Sequence, residues 1–191
     1  MTSSNASKLA AISAVQLICA VLASGQQRVN PQAEAMAHFS ERVTAYLALQ
    51  KKVERTLPAQ KQTDDPERIK SHIASLADGM RAARAGARTG DLFNGAADQF
   101  RQIIKEDARD RSVRDALAAM LEVPTKTRPR VNAVYPETAA LATVPPLILK
   151  RLQQLPEGIE YRFMGRDLIL RDTSANLIVD VLPGAVPTVA R

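Results

Sequence analysis

The segment from Leu155 to Pro187 predicts a small antiparallel β-meander, whereas most of the sequence before it predicts helix. Two turn signals divide this segment into three strand-length runs: the pair Gly165-Arg166 and the stretch from Thr173 to Asn176. Glycine at the first position of a two-residue turn favours a type II′ hairpin. The chain is therefore expected to be an α+β protein in which helices pack on a three-stranded sheet.

The same two turns predict how the strands pair. The first turn places Tyr161 opposite Leu170, and the second places Leu170 opposite Val179. Six apolar side chains then share one sheet face: Tyr161, Phe163, Leu168, Leu170, Val179 and Val181. The other face would carry Asp180, together with Glu160 opposite Arg171. Because a shift by one residue would turn every side chain to the other face, a shared apolar face supports this register.

An antiparallel helical hairpin is predicted at the start of the helical part. Apolar residues recur every three or four positions over residues 35–57, which is typical of an amphipathic helix. A second helix follows a polar loop. Either Asp65 caps it, with Pro66 at the first helical position, or Asp64 does, with Glu67 three residues later. Two helices joined in this way normally lie side by side.

The rest of the chain up to the meander predicts two more helices and a proline-rich segment. The helices begin near Asp91 and near Ser112, which completes a helical part over about residues 31–123. Residues 124–146 contain five of the eleven prolines and predict an extended strap, since proline disfavours helix at the preceding residue. A short helix and the meander then occupy residues 147–187.

The first 25 residues have the order of a secretory signal peptide. One cation, Lys8, precedes an uncharged run over residues 9–22, and small residues follow up to Gly25. The apolar run is shorter than the roughly 20 residues that a spanning helix needs. We therefore expect cleavage near Gly25, a single mature domain of residues 26–191 in the periplasm or outside the cell, and no transmembrane span in that domain. The alternatives are an uncleaved anchor and an ordinary apolar first helix.

The charge and the cysteine content of the chain limit the functions that it can have. The formal charge of +6 would fall to +5 on cleavage, because the removed segment has one lysine and no acid. A basic chain can favour nucleic acid, an anionic membrane or an anionic glycan. An exported protein without a basic strand interleaved with base-stacking aromatics is not expected to bind nucleic acid. The one cysteine, Cys19, lies in the segment to be cleaved, which excludes disulfides, thiolate metal sites and cysteine nucleophiles from the mature chain.

A candidate metal site is predicted on the first helix. Glu34, His38 and Glu41 stand at positions i, i+4 and i+7, so two carboxylates and an imidazole share one helix face. Metal sites in helical bundles usually take ligands from more than one helix. The alternative is a solvated edge beside the helix seam.

A candidate anion or partner contact is predicted at the end of the second helix. Arg81, Arg84 and Arg88 recur at three- and four-residue spacing and so share one face. They could bind an acidic partner or a phospholipid headgroup. The alternative is structural, because cations near a helix C-terminus compensate the helix dipole.

The C-terminal third contains the strings VNAVYPE (131–137), LATVPPLIL (141–149), LPEGIEYRFMGRDLILRD (155–172) and ANLIVDVLPGAVP (175–187). This pattern resembles the ends of a group of short secreted bacterial proteins without an assigned activity. The resemblance implies export and a shared fold element, and it carries over no catalytic residues.

The sequence is interpreted as a non-enzymatic binding or interaction protein of the bacterial cell envelope. Its partner would be an envelope protein or an anionic envelope component, and no cofactor is expected. One alternative is a small periplasmic hydrolase with a site built from carboxylates, because four acids cluster in the meander: Glu160, Asp167, Asp172 and Asp180. Cross-strand ion pairing is the simpler explanation of these acids, because Glu160 would face Arg171. The other alternative is a metal binder through the first helix.

Overall fold

The protein, described by a computed structural model over residues 30–59, 63–122, 128–136 and 144–188, is an α+β protein, as predicted. Over the described residues the helices are α1 (Pro31–Glu54), α2 (Pro66–Ala83), α3 (Ala97–Asp107), α4 (Arg111–Glu122) and α5 (Pro146–Arg151). The strands are β1 (Ile159–Met164), β2 (Asp167–Asp172) and β3 (Leu177–Leu182), which form one antiparallel sheet in the order β1-β2-β3. The expected signal peptide lies outside the described residues. Within them, no helix has the length and apolar character needed to cross a membrane.

The predicted hairpin is formed by α1 and α2. The Asn30 side chain accepts a hydrogen bond from the Gln32 amide at 3.0 Å, and a proline occupies the first turn of α1. The Asp65 side chain accepts from the Glu67 amide at 3.0 Å, which settles the choice of cap in favour of Asp65. Side-chain caps of this kind satisfy amide groups that have no partner inside the helix.

The two helices of the hairpin are in close contact at Gly79. A Cβ atom placed there would lie 2.5 Å from Cγ1 of Val53, which is too close for two carbon atoms. Alanine would favour helix over glycine by about 1 kcal/mol, but overpacking a contact typically costs about 1–3 kcal/mol. The cost of overpacking should therefore exceed the gain in helix preference, and the net effect of alanine at position 79 should be destabilising.

We accordingly expect Gly79→Ala to destabilise the protein by about 1 kcal/mol in urea unfolding. In a Val53→Ala background the same change should instead stabilise it, because the obstructing methyl group is gone. A Gly79→Ala effect of equal sign in both backgrounds would show that the helices do not meet at this contact.

The main core lies between the helices and one face of the sheet. Its centre is an aromatic cluster in which Phe39, Phe93 and Phe100 pack together, with ring centroids 4.9–5.6 Å apart. Tyr161 of β1 extends the cluster, with its ring centroid 5.9 Å from that of Phe100. The helix expected from Asp91 begins only at Ala97, and residues 91–96 form turns that carry Phe93 into this core.

The predicted pairing of β1 with β2 is confirmed, whereas the pairing of β2 with β3 is only partly right. Next to the second turn, Arg171 lies opposite Ile178, as the turn predicts. A β-bulge then shifts the register by one residue, so Leu170 lies opposite Asp180 and not opposite Val179. A bulge re-aims the side chains that follow it. Val181 consequently joins a cluster on the outer face, and Leu182 takes its expected place in the main core.

The described part of the strap, residues 128–136, pairs with the outer edge of β3. The Asn132 amide donates to the Ile178 carbonyl at 2.9 Å, and the Ile178 amide donates to the Ala133 carbonyl at 2.9 Å. The strap also contributes Tyr135 to a second apolar cluster. The other buried members of this cluster lie in the sheet: Met164, Ile169, Ile178 and Val181. The sheet is therefore buried on both faces, although the sequence indicated only one apolar face. The rest of the predicted strap up to residue 143 lies outside the described residues.

Candidate functional site

Arg84, at the end of α2, connects three parts of the fold. Its guanidinium donates to Oδ1 of Asn132 at 3.0 Å and to the Val179 carbonyl at 3.0 Å. In return, Nδ2 of Asn132 donates to the Arg84 carbonyl at 2.8 Å. The guanidinium carbon also lies 4.9 Å from the centre of the Tyr46 ring. Burial lowers the pKa of Arg84 from its ordinary value, although nearby acidic groups act in the opposite direction.

The other two arginines of the predicted anion contact differ from Arg84 in their surroundings. Arg81 donates from Nε to the Asn132 carbonyl at 3.2 Å and pairs with Asp78. The side chain of Arg88 is exposed, and its backbone amide donates to Asp91 at 2.7 Å. The structure thus brings Arg81 and Arg84 to one asparagine of the strap and leaves Arg88 at the surface. An anion contact by all three arginines remains a prediction. In the structure, the side chains of Arg81 and Arg84 already bind partners within the protein.

Asp172 is fully buried and each of its oxygens accepts two hydrogen bonds. Oδ2 accepts from the Tyr46 hydroxyl and from Nε2 of Gln50, both at 2.6 Å. Oδ1 accepts from the amides of Ser174 and Ala175, at 2.8 and 3.0 Å. Burial and the neighbouring Asp172 raise the pKa of the Tyr46 hydroxyl, so it stays a hydrogen-bond donor. This network also explains why α1 has a buried glutamine in its apolar stripe.

Asp180 is the second fully buried carboxylate, and it too has two donors on each oxygen. Oδ1 accepts from the amides of Gly90 and Val181, at 2.7 and 2.8 Å. Oδ2 accepts from the amides of Leu92 and Phe93, at 2.7 and 3.1 Å. Burial raises the pKa of Asp180, while the four backbone amides oppose that rise. The bulge in β3 places this side chain toward the turns before α3, not on the outer face as predicted.

Glu160 has the cross-strand partner that the sequence predicted. It pairs with Arg171 at 2.9 Å and with Arg162 at 2.7 Å. Arg171 also lies over the Tyr135 ring, 4.6 Å from its centre. Burial alone would raise the pKa of Glu160, but the two arginines more than offset burial, so the pKa lies below its usual range.

The lowered pKa of Glu160 predicts a pH dependence of stability. Because the folded-state pKa lies below the unfolded one, the stabilisation is present above the unfolded pKa and is lost as pH falls through the folded pKa. Urea unfolding from pH 7 down to pH 3 should show a larger loss of stability for the wild type than for Glu160→Gln. Parallel pH profiles of the two proteins would contradict the ion pairs described above.

The four acids of the meander therefore do not form a pair. Asp172 and Asp180 bind different backbone and side-chain donors, and Glu160 binds arginines. Asp167 accepts a hydrogen bond from the Gly184 amide at 2.8 Å. Each acid is occupied by a contact that holds the fold.

The three side chains of the predicted metal site lie together on the exposed face of α1. Nδ1 of His38 is 3.0 Å from Glu41, and Nε2 is 3.7 Å from Glu34. The two carboxylates thus approach opposite nitrogens of the imidazole and do not converge on one point. In the described part of the chain, no group of three or more histidine, cysteine or acidic side chains is arranged to hold a metal ion.

An open cleft of about 490 Å³ lies where the end of α1 meets α2. Its polar lining consists of Lys51, Glu54, Arg55 and His72. His72 is partly buried, with 19% of its side chain exposed, and its Nε2 atom lies 4.0 Å from Glu54. This cleft was not predicted from the sequence. The available signal was the spacing of Lys51 and Arg55, one helical turn apart at the end of a predicted hairpin helix.

Comparison of the chain with protein-family models, with curated proteins and with solved structures gave no match.

Proposed function

We propose that the protein is an exported binding protein of the bacterial cell envelope that does not catalyse a reaction. Support for export comes from residues 1–25, which have the charge and apolar pattern of a cleaved signal peptide. Support for binding over catalysis comes from the acidic side chains of the meander, which are engaged in hydrogen bonds and ion pairs within the fold. The ligand would be an envelope protein or an anionic envelope component.

The main support for this proposal is that the two buried carboxylates, Asp172 and Asp180, are inaccessible and already fully hydrogen-bonded. A general acid, general base or nucleophile has to reach the substrate with a free oxygen. Asp172 and Asp180 are each 0% exposed, and both oxygens of each already accept two hydrogen bonds. They hold α1 and the turns before α3 against the sheet. This use favours a binding protein over the carboxylate hydrolase.

The surface offers features that suit binding. The cleft at the end of the hairpin is open and carries two cations. On α5, the large apolar side chains of Leu147 and Leu149 are 46% and 40% exposed. Arg151 holds α5 to α3 through ion pairs with Glu106 and Asp107, at 2.7 and 2.5 Å.

Catalysis can be tested with the purified mature protein and a panel of ester, amide and glycoside substrates. We expect no rate above background for the wild type, for Asp172→Asn or for Asp180→Asn, since neither carboxylate can reach a substrate. Circular dichroism would establish that the variants are folded. A rate above background in the wild type would overturn the proposal, and its loss in a folded variant would support the carboxylate hydrolase.

Export can be tested by the mass of the protein recovered from fractionated cells. The chain should appear in the periplasmic or secreted fraction with about its first 25 residues removed. A cytoplasmic chain with an intact N-terminus would contradict export.

A further inference from the structure

The cleft between the end of α1 and the first half of α2 has the composition of a small-ligand site. Lys51, in the last turn of α1, and Arg55, the residue that caps this helix, lie one turn apart, and His72 lines the cleft from α2. Leu57, Pro58 and Ala59 supply an apolar wall to the same cleft. Cavities that bind small molecules combine an apolar lining with a few polar groups that fix orientation.

The charges in the cleft indicate the class of ligand. Lysine and arginine side chains only donate hydrogen bonds, and an arginine fork matches the oxygens of a phosphate group. Glu54 stands in the same cleft, where its carboxylate faces His72. Lys51 and Arg55 supply two positive charges and Glu54 supplies one negative charge, so these three side chains leave a small positive excess. That balance suits one compact anionic group, whereas a polyanion would be repelled by Glu54.

We propose that this cleft binds a phosphate monoester, with the phosphoryl group between Lys51 and Arg55 and the organic part against Leu57 and Pro58. The inference deepens the proposed function, because it names an anionic ligand class for the binding protein. It also places the anion site on the hairpin end and not at Arg81, Arg84 and Arg88. The phosphate could belong to a free metabolite or to a lipid headgroup.

Titration calorimetry with glycerol phosphate tests the free form of the ligand. Flotation with phosphatidylcholine vesicles, with and without phosphatidic acid, tests the lipid form. The variant is Lys51→Ala with Arg55→Ala. A matched control is Lys105→Ala with Arg109→Ala, which removes the same two charges at the same spacing from exposed positions on and just after α3.

Saturable binding of glycerol phosphate, weakened at least tenfold by the cleft variant and unchanged in the control, would support a free ligand. Binding only to phosphatidic acid vesicles, with the same dependence on the variants, would support a lipid ligand. Equal weakening in both variants, or binding to neither probe, would overturn the proposal. If the double variant is insoluble, Arg55→Gln alone gives the same comparison. Failure here leaves the proposed function standing if a stoichiometric envelope partner is still recovered with the protein.

Discussion

Replacing Leu170 with aspartate is expected to prevent the protein from accumulating as a soluble folded chain. Leu170 is fully buried at the centre of β2 and faces the main core. An aspartate there would place an unpaired charge among apolar side chains, at a cost on the order of 4 kcal/mol or more. Such a cost is a large fraction of the 5–15 kcal/mol, roughly, that stabilises a typical domain.

Leu147→Asp is the matched control for this change, because Leu147 is 46% exposed on α5. The control should stay soluble and lose less than about 1 kcal/mol, as surface substitutions usually do. Soluble yield and the urea midpoint measure both variants. A stable, soluble Leu170→Asp protein would contradict the sheet packing described above.

Replacing Asp180 with alanine is the second change with a large expected effect. It would remove the acceptor of four backbone amides at once, among them those of Gly90, Leu92 and Phe93. A buried amide without a partner costs about 1–3 kcal/mol, although water can satisfy those near the surface. We expect a loss of about 3–5 kcal/mol in the free energy of unfolding.

Asp167→Ala provides the control, since Asp167 lies in the same sheet and accepts one amide hydrogen bond, from Gly184. Its loss should cost about 1 kcal/mol. Equal losses for the two variants would mean that Asp180 does not hold the turns before α3. Hydrogen exchange at the amides of Gly90, Leu92 and Phe93 would locate the effect, because these amides should lose protection only in Asp180→Ala.

Local sequence signals predicted the elements of this fold well. The Asp65 cap, the Gly165-Arg166 turn and the first strand pairing all depend on residues close together in the chain. The bulge in β3 could not be predicted in the same way. It turns Asp180 toward amides about 90 residues earlier, and alternation of apolar residues within the meander carries no information about those donors.

The same contrast between local and long-range contacts applies to the candidate sites. The spacing on α1 correctly brought Glu34, His38 and Glu41 onto one face, because helical periodicity is local. The role of Arg84 depends on Asn132, which lies 48 residues away in a strap whose docking the sequence did not specify. The cleft depends on how the end of α1 is aligned with α2, so its two cations could be recognised only with the hairpin in place.

The central claim, that this is an exported binding protein, is tested most directly by capturing the tagged precursor from its native cell envelope. Mass spectrometry would give the mass of the recovered chain and the amount of each component that accompanies it. The account predicts a chain that has lost about its first 25 residues, together with a protein or anionic envelope component in stoichiometric amount. Recovery of a chain with its N-terminus intact, or of a mature chain that neither retains such a component nor binds glycerol phosphate, would contradict it.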